Sequence, residues 1–143
     1  MKKRQIERVD LDRRAVLMMG LAGASALVLG RGNSVLAAES KVQETAKGVQ
    51  TKVFKEAESM IPGFSKVRLR AVTFQPGASL EPRTMKNVMI CECTQGTLDV
   101  TQDGKTWTAK KGDIWTCKEG TVEGDVNKGK TVAIMRVFDL LPA

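Results

Sequence analysis

The sequence predicts an all-β domain, a sandwich or small barrel of short antiparallel strands. Turn signals recur between Pro76 and Asn127, at Gln95-Gly96, Asp103-Gly104, Gly112-Asp113 and Gly120. The runs between them are short and rich in Val, Ile, Thr and Trp. After residue 50 no stretch carries a convincing helical period. Turns at this spacing around β-branched and aromatic runs are the pattern of many short strands.

The first 37 residues read as an export segment, not as part of the fold. Lys2, Lys3 and Arg4 make a basic start, and Arg13-Arg14 stand before the apolar run Ala15 to Leu29. Small residues follow at Ser34-Val35-Leu36-Ala37, with cleavage expected after Ala37. A basic region, an apolar run and a small-residue site are the three parts of a signal peptide. The paired arginines resemble a twin-arginine signal, a system that exports folded proteins. The competing reading is a membrane anchor, but a run of 15 residues is short of the roughly 20 a bilayer needs. The mature protein is therefore expected in the periplasm or secreted, with no stable membrane span.

Residues 38–49 are polar and read as a loose lead-in, with at most one helical turn. Residues 50–143 form the expected domain. Gln50 to Glu56 alternates enough for a first strand, and Ile61-Pro62-Gly63-Phe64 is a turn. Lys66 to Gln75 has the clearest period of two: Val67, Leu69 and Ala71 are expected on the buried face, Lys66, Arg68 and Arg70 on the wet one. Asn87 to Thr94 is a strand closed by Gln95-Gly96. Thr97–Gln102 and Lys105–Ala109 flank Asp103-Gly104, a strong hairpin signal because both turn residues need positive φ. Shorter strands follow at Asp113–Cys117, Thr121–Val126 and Thr131–Phe138.

Composition excludes some functions. The chain of 143 residues has a formal charge of +7, but residues 1–37 hold seven Lys/Arg and three Asp/Glu, leaving 16 basic and 13 acidic residues elsewhere. No basic block with interleaved aromatics remains, so nucleic acid is not expected as a partner. The chain has no histidine, which removes the commonest general base and metal ligand.

The glycine spacing resembles the two signatures of the cupin family. The first is Gly, five residues, His-x-His, three or four residues, Glu, six residues, Gly. Here Gly77 is followed at those spacings by Arg83-Thr84-Met85, Met89 and Gly96. The second is Gly, five residues, Pro-x-Gly, two residues, His, three residues, Asn. Here Gly112 is followed by Lys118-Glu119-Gly120, Glu123 and Asn127. The resemblance covers roughly residues 50–140. It implies a double-stranded β-helix, the jelly-roll barrel, and a homodimer paired through outer sheets. The departures fall on the metal positions, now Arg83, Met85, Met89 and Glu123. Arginine offers no lone pair, and one carboxylate does not hold iron, manganese or nickel unaided. No cofactor is expected on that ground.

Two readings compete for the vacated pocket. Arg83 and Glu123 face each other in the resemblance, so they either neutralise one another or let Arg83 take an anionic ligand. Alternatively Met85, Met89, Cys91 and Cys93 form a soft site for Cu(I), against the plainer view that Met and Cys fill the core. Three cysteines in an oxidising compartment leave one that is either left over or paired between chains. Cys117 is the partner to consider for Cys91 or Cys93, with three buried free thiols as the plain alternative. Trp107 and Trp115 read as packing. The expectation is thus an exported small-molecule-binding or accessory protein with a pocket of Arg83, Met85, Met89, Cys91 and Glu123. Its alternatives are a metal-independent isomerase or lyase, with Glu123 as base and Arg83 as electrophile, and a copper binder.

Overall fold

A computed structural model describes residues 41–143. The export segment lies outside the described residues. Ten strands follow in order: β1 (Val42–Ala46), β2 (Val49–Glu58), β3 (Phe64–Phe74), β4 (Ser79–Thr84), β5 (Val88–Gln95), β6 (Thr97–Gln102), β7 (Lys105–Lys110), β8 (Ile114–Cys117), β9 (Val122–Val126) and β10 (Ala133–Pro142). Six form one sheet in the order β1-β2-β3-β10-β5-β8, and four form the other in the order β4-β9-β6-β7. Every pairing is antiparallel. The inner faces share one core, in which Phe74, Met135 and Val137 of the larger sheet join Leu98, Val100 and Ala109 of the smaller. The fold is all-β and of the jelly-roll class the sequence predicts.

The described part of the lead-in, residues 41–49, is not loose. Residues Val42–Ala46 are β1, paired to β2 at the edge of the larger sheet. Four of its five residues are exposed, so burial imposes no apolar alternation and the strand carries no sequence signal.

The face assignment of β3 is reversed. Val72 and Phe74 are fully buried, and Arg68 and Arg70 share their parity. The two arginines therefore point into the barrel, while Val67, Leu69 and Ala71 lie on the outer face. There they join an apolar row, since Leu69 pairs with Phe138 and Phe138 with Ile90. Strand β9 is inside-out in the same way. Glu123 and Asp125 are buried, and Val122 on the other face is exposed.

The turn residues fix how the strands are joined. Asp103 and Gly104 both adopt positive φ, at 46° and 83°, as the tight β6–β7 hairpin requires. At Gly96, with φ at 69°, a Cβ would stand 2.7 Å from the Val132 carbonyl oxygen, so a side chain is excluded. The two glycine signatures meet in space. The Gly77 amide donates to the Asn127 carbonyl at 2.8 Å, and the Asn127 amide donates to Ala78 at 2.9 Å. The buried Asn127 side chain then donates to the carbonyls of Phe74 and Thr131 and accepts from the Gly129 amide.

Candidate functional site

The inverted faces of β3 and β9 bring charge into the barrel, and three polar groupings result. In the first, Asp139 on β10 is gripped by two arginines of β3. Arg68 Nε and Arg70 Nε donate to Asp139 Oδ2 at 2.9 and 2.8 Å, and Arg70 Nη2 donates to Oδ1 at 3.1 Å. Burial pushes the Asp139 carboxyl up, but the hydrogen bonds and charges of Arg70 and Arg68 outweigh it and hold the group below its ordinary value. Arg70 Nη2 also lies 3.8 Å from the Met89 sulfur.

In the second, Arg83 Nη1 lies 3.9 Å from Asp125 Oδ2. Neither Asp125 oxygen, nor Arg83 Nη1, has a hydrogen-bond partner among the described residues, and all three atoms are buried. Burial, and then the charge of Glu123, push the Asp125 carboxyl up to about 7 against the pull of Arg83 and Arg70.

In the third, Glu123 gathers donors on a single oxygen. Its Oε2 accepts from Gln102 Nε2 at 2.7 Å, Trp115 Nε1 at 3.2 Å and Cys117 Sγ at 3.1 Å. The Cys91 and Cys117 sulfurs and a Glu123 oxygen all lie within 4.8 Å of one another. Hydrogen bonding with Cys117 first, then burial and nearby negative charge, push the Cys91 thiol up from its ordinary value. Trp115 is held edge-on to Trp107, with ring centres 6.4 Å apart and planes at 82°, the packing role expected for both.

A cavity of about 250 Å³ opens beside the first two groupings. Arg68, Arg70, Arg83 and Lys86 line it together with Met85 and Met89, and Asp139 is the one carboxylate among its lining residues. Of the sequence-predicted pocket, Arg83, Met85 and Met89 line this cavity, whereas Cys91 and Glu123 are not among its lining residues. Arg83 and Glu123 are register partners on β4 and β9, yet the ion pair of Arg83 is with Asp125. The proposed Met/Cys quartet is also divided. Cys93 donates to the carbonyls of Gln95 and Gly96 at 3.6 Å, while Cys91 turns to Cys117 and Glu123. All three cysteines are free.

Sequence reasoning missed Arg68, Arg70, Asp125, Asp139 and Gln102. Two signals bore on them. The arginines share parity with Val72 and Phe74, and Glu123 and Asp125 alternate with Val122, Gly124 and Val126. The divalent ion implied by the family resemblance does not fit its positions here. Arg83 is cationic and without a lone pair, Met85 and Met89 offer only thioethers, and Glu123 is the one carboxylate left among the four positions, too few donors for that ion.

No protein-family model matches the chain, and no curated protein matches it. Solved structures resemble it in fold. The structure of KdgF from a Halomonas species has a TM-score of 0.59 at 20% identity, over 71% of this chain and 87% of that one. An RmlC-like cupin from Shewanella frigidimarina has a TM-score of 0.57 at 13% identity, over 71% and 85%. The Cnp3 cupin domain of Schizosaccharomyces pombe has a TM-score of 0.53 at 21% identity, over 64% and 61%. The fold is that of cupin-type proteins, and at these identities the likeness concerns the fold alone.

Proposed function

We propose that the protein is an exported, small-molecule-binding cupin-type protein whose cavity takes a small anion such as a carboxylate. The observation that carries this is Arg83 Nη1, a buried donor without a hydrogen-bond partner on a residue that lines the cavity with Arg68, Arg70 and Lys86. A buried donor left unpaired is unfavourable, and guanidinium matches the two oxygens of a carboxylate. An anion would satisfy Arg83 and balance a wall rich in cations.

Titration calorimetry with a series of small mono- and dicarboxylates tests this. Binding is expected to weaken with added salt and to fall at least about tenfold in Arg83→Met, a loss equivalent to one charge-assisted hydrogen bond. Absence of binding at millimolar carboxylate, or equal affinity in the variant, would overturn it.

The isomerase or lyase alternative needs Glu123 to meet the ligand. Glu123 is 1% exposed, holds three donors on Oε2 and does not line the cavity, which supports binding over proton abstraction.

Export rests on the first 37 residues. Replacing Arg13 and Arg14 with lysine should retain the chain in the cytoplasm in cell fractionation. A homodimer through the outer face of the six-stranded sheet belongs to the same reading. Ile90 and Ile114 stand 41% and 66% exposed there, and light scattering should report two chains.

A further inference from the structure

We infer that Cys91, Cys117 and Glu123 form a binding site for a divalent thiophilic cation of the zinc class. They come from three strands, β5, β8 and β9, which belong to both sheets. Their ligating atoms nevertheless converge within 4.8 Å of one another. The relative exposures are 0% for Cys91 and 1% each for Cys117 and Glu123, so the cluster is shielded from bulk water. Strands in a hydrogen-bonded framework hold such atoms in place before an ion arrives.

The surroundings match those of a metal site. Gln102 Nε2 donates to Glu123 Oε2 at 2.7 Å and lies 3.1 Å from Cys117 Sγ. Trp115 Nε1 adds a second donor to the same carboxylate oxygen. Donors of this kind orient ligating carboxylates and tune metal affinity.

The chemistry selects the class of ion. Two sulfurs and one carboxylate suit Zn(II), which takes both donor types at close to tetrahedral geometry. Cu(I) prefers thiolate and thioether throughout. Three protein ligands leave a fourth position, which a water occupies in zinc sites of that count. Loading releases the two thiol protons to solvent, giving two thiolates and a carboxylate around a doubly charged ion.

A Cys91–Cys117 disulfide is the competing use of the same sulfurs. Cys91 pairs in register with Trp115, and Cys117 with Met89, so the two cysteines are diagonal neighbours. Diagonal Cα atoms sit about 7–8 Å apart, beyond the usual reach of a disulfide. The ligand set also differs from that of the family resemblance. Only Glu123 stands at one of those positions, and both sulfurs are additional.

The test loads the reduced protein with Co(II) as optical probe and with Zn(II). One equivalent of metal should survive desalting by elemental analysis, and cobalt should give thiolate-to-metal charge-transfer absorption. Cys91→Ser, Cys117→Ser and Glu123→Gln should each lower affinity at least about tenfold. Cys93→Ser should leave both signals intact. Zinc should raise the melting temperature of the parent and Cys93→Ser proteins more than that of the three ligand variants; the Glu123→Gln variant keeps both thiols and the side-chain shape should a serine variant fail to fold. The inference is overturned if no metal is retained, if the charge-transfer absorption is absent, or if Glu123→Gln together with each folded serine variant binds as tightly as the parent.

Discussion

Arg70 grips both oxygens of Asp139, Nε to Oδ2 at 2.8 Å and Nη2 to Oδ1 at 3.1 Å. The grip is two-pronged, and Arg68 adds a third bond from the same strand. It is possible because β3 turns its arginines inward. The arrangement fixes one wall of the cavity and keeps cationic nitrogen at its surface.

Asp139→Ala should be strongly destabilising. It removes a fully buried carboxylate and leaves two arginines facing inward. Loss of one partner from a buried pair costs about 3–5 kcal/mol. Arg68 and Arg70 keep 29% and 16% of their side-chain surface, so solvent screening reduces the expected loss to about 2–3 kcal/mol. Urea unfolding at pH 7 measures it.

The same carboxylate sets an acid limit. Its folded value lies below the ordinary one. Its contribution to stability is therefore complete above the ordinary carboxylate range and disappears as pH falls through the folded value. Melting temperature should drop with pH below about 4 in the parent protein. Asp139→Asn should start lower and show a flatter profile in that window.

Asp125→Asn should stabilise the protein at pH 8. Burial pushes the folded Asp125 carboxyl up to about 7, so its ionisation costs stability progressively above the ordinary carboxylate range and most fully above neutrality. Each unit corresponds to about 1.4 kcal/mol. The amide that replaces the carboxyl is itself buried, so a gain of about 2 kcal/mol is expected after that offset. Urea unfolding at pH 8 and pH 5 should show the larger gain at pH 8.

Asn127→Ala should cost about 3 kcal/mol. The substitution removes the partners of the Phe74 and Thr131 carbonyls and of the Gly129 amide. Buried groups left unpaired cost about 1–3 kcal/mol each, and exposure of the Gly129 loop reduces the total. Thermal unfolding and amide exchange at Gly77 and Gly129 measure the loss.

The frame of this fold was legible because local chemistry dictates it. Positive φ at Asp103-Gly104, Gly96 and Gly112 leaves a mark in residue identity. The interior was legible only in part. On β3 the parity of Val67, Leu69 and Ala71 suggested the core, but Val72 and Phe74 at the strand's other end set the buried face. Residues 66–71 alone support either orientation. On β9 the acids are inside and the valines outside, so hydrophobic alternation points the wrong way. The Cys91–Cys117–Glu123 cluster draws on three strands and both sheets, and no local pattern brings such residues together. Arg83, Met85 and Met89 were found because Gly77 and Gly96 place β4 and β5 at fixed distances along the chain.

The reciprocal bonds between Gly77 and the Asn127 segment bear on how such a chain can be recognised. The residues of the two signatures that persist here close the backbone, and those that changed are the ones that would touch an ion. The signatures are therefore separable into scaffolding and chemistry. A search weighted toward histidines would pass over this protein. One weighted toward Gly77, Gly96, Gly112, Gly120 and Asn127 would retrieve it, along with other barrels that keep these turns around different interior residues.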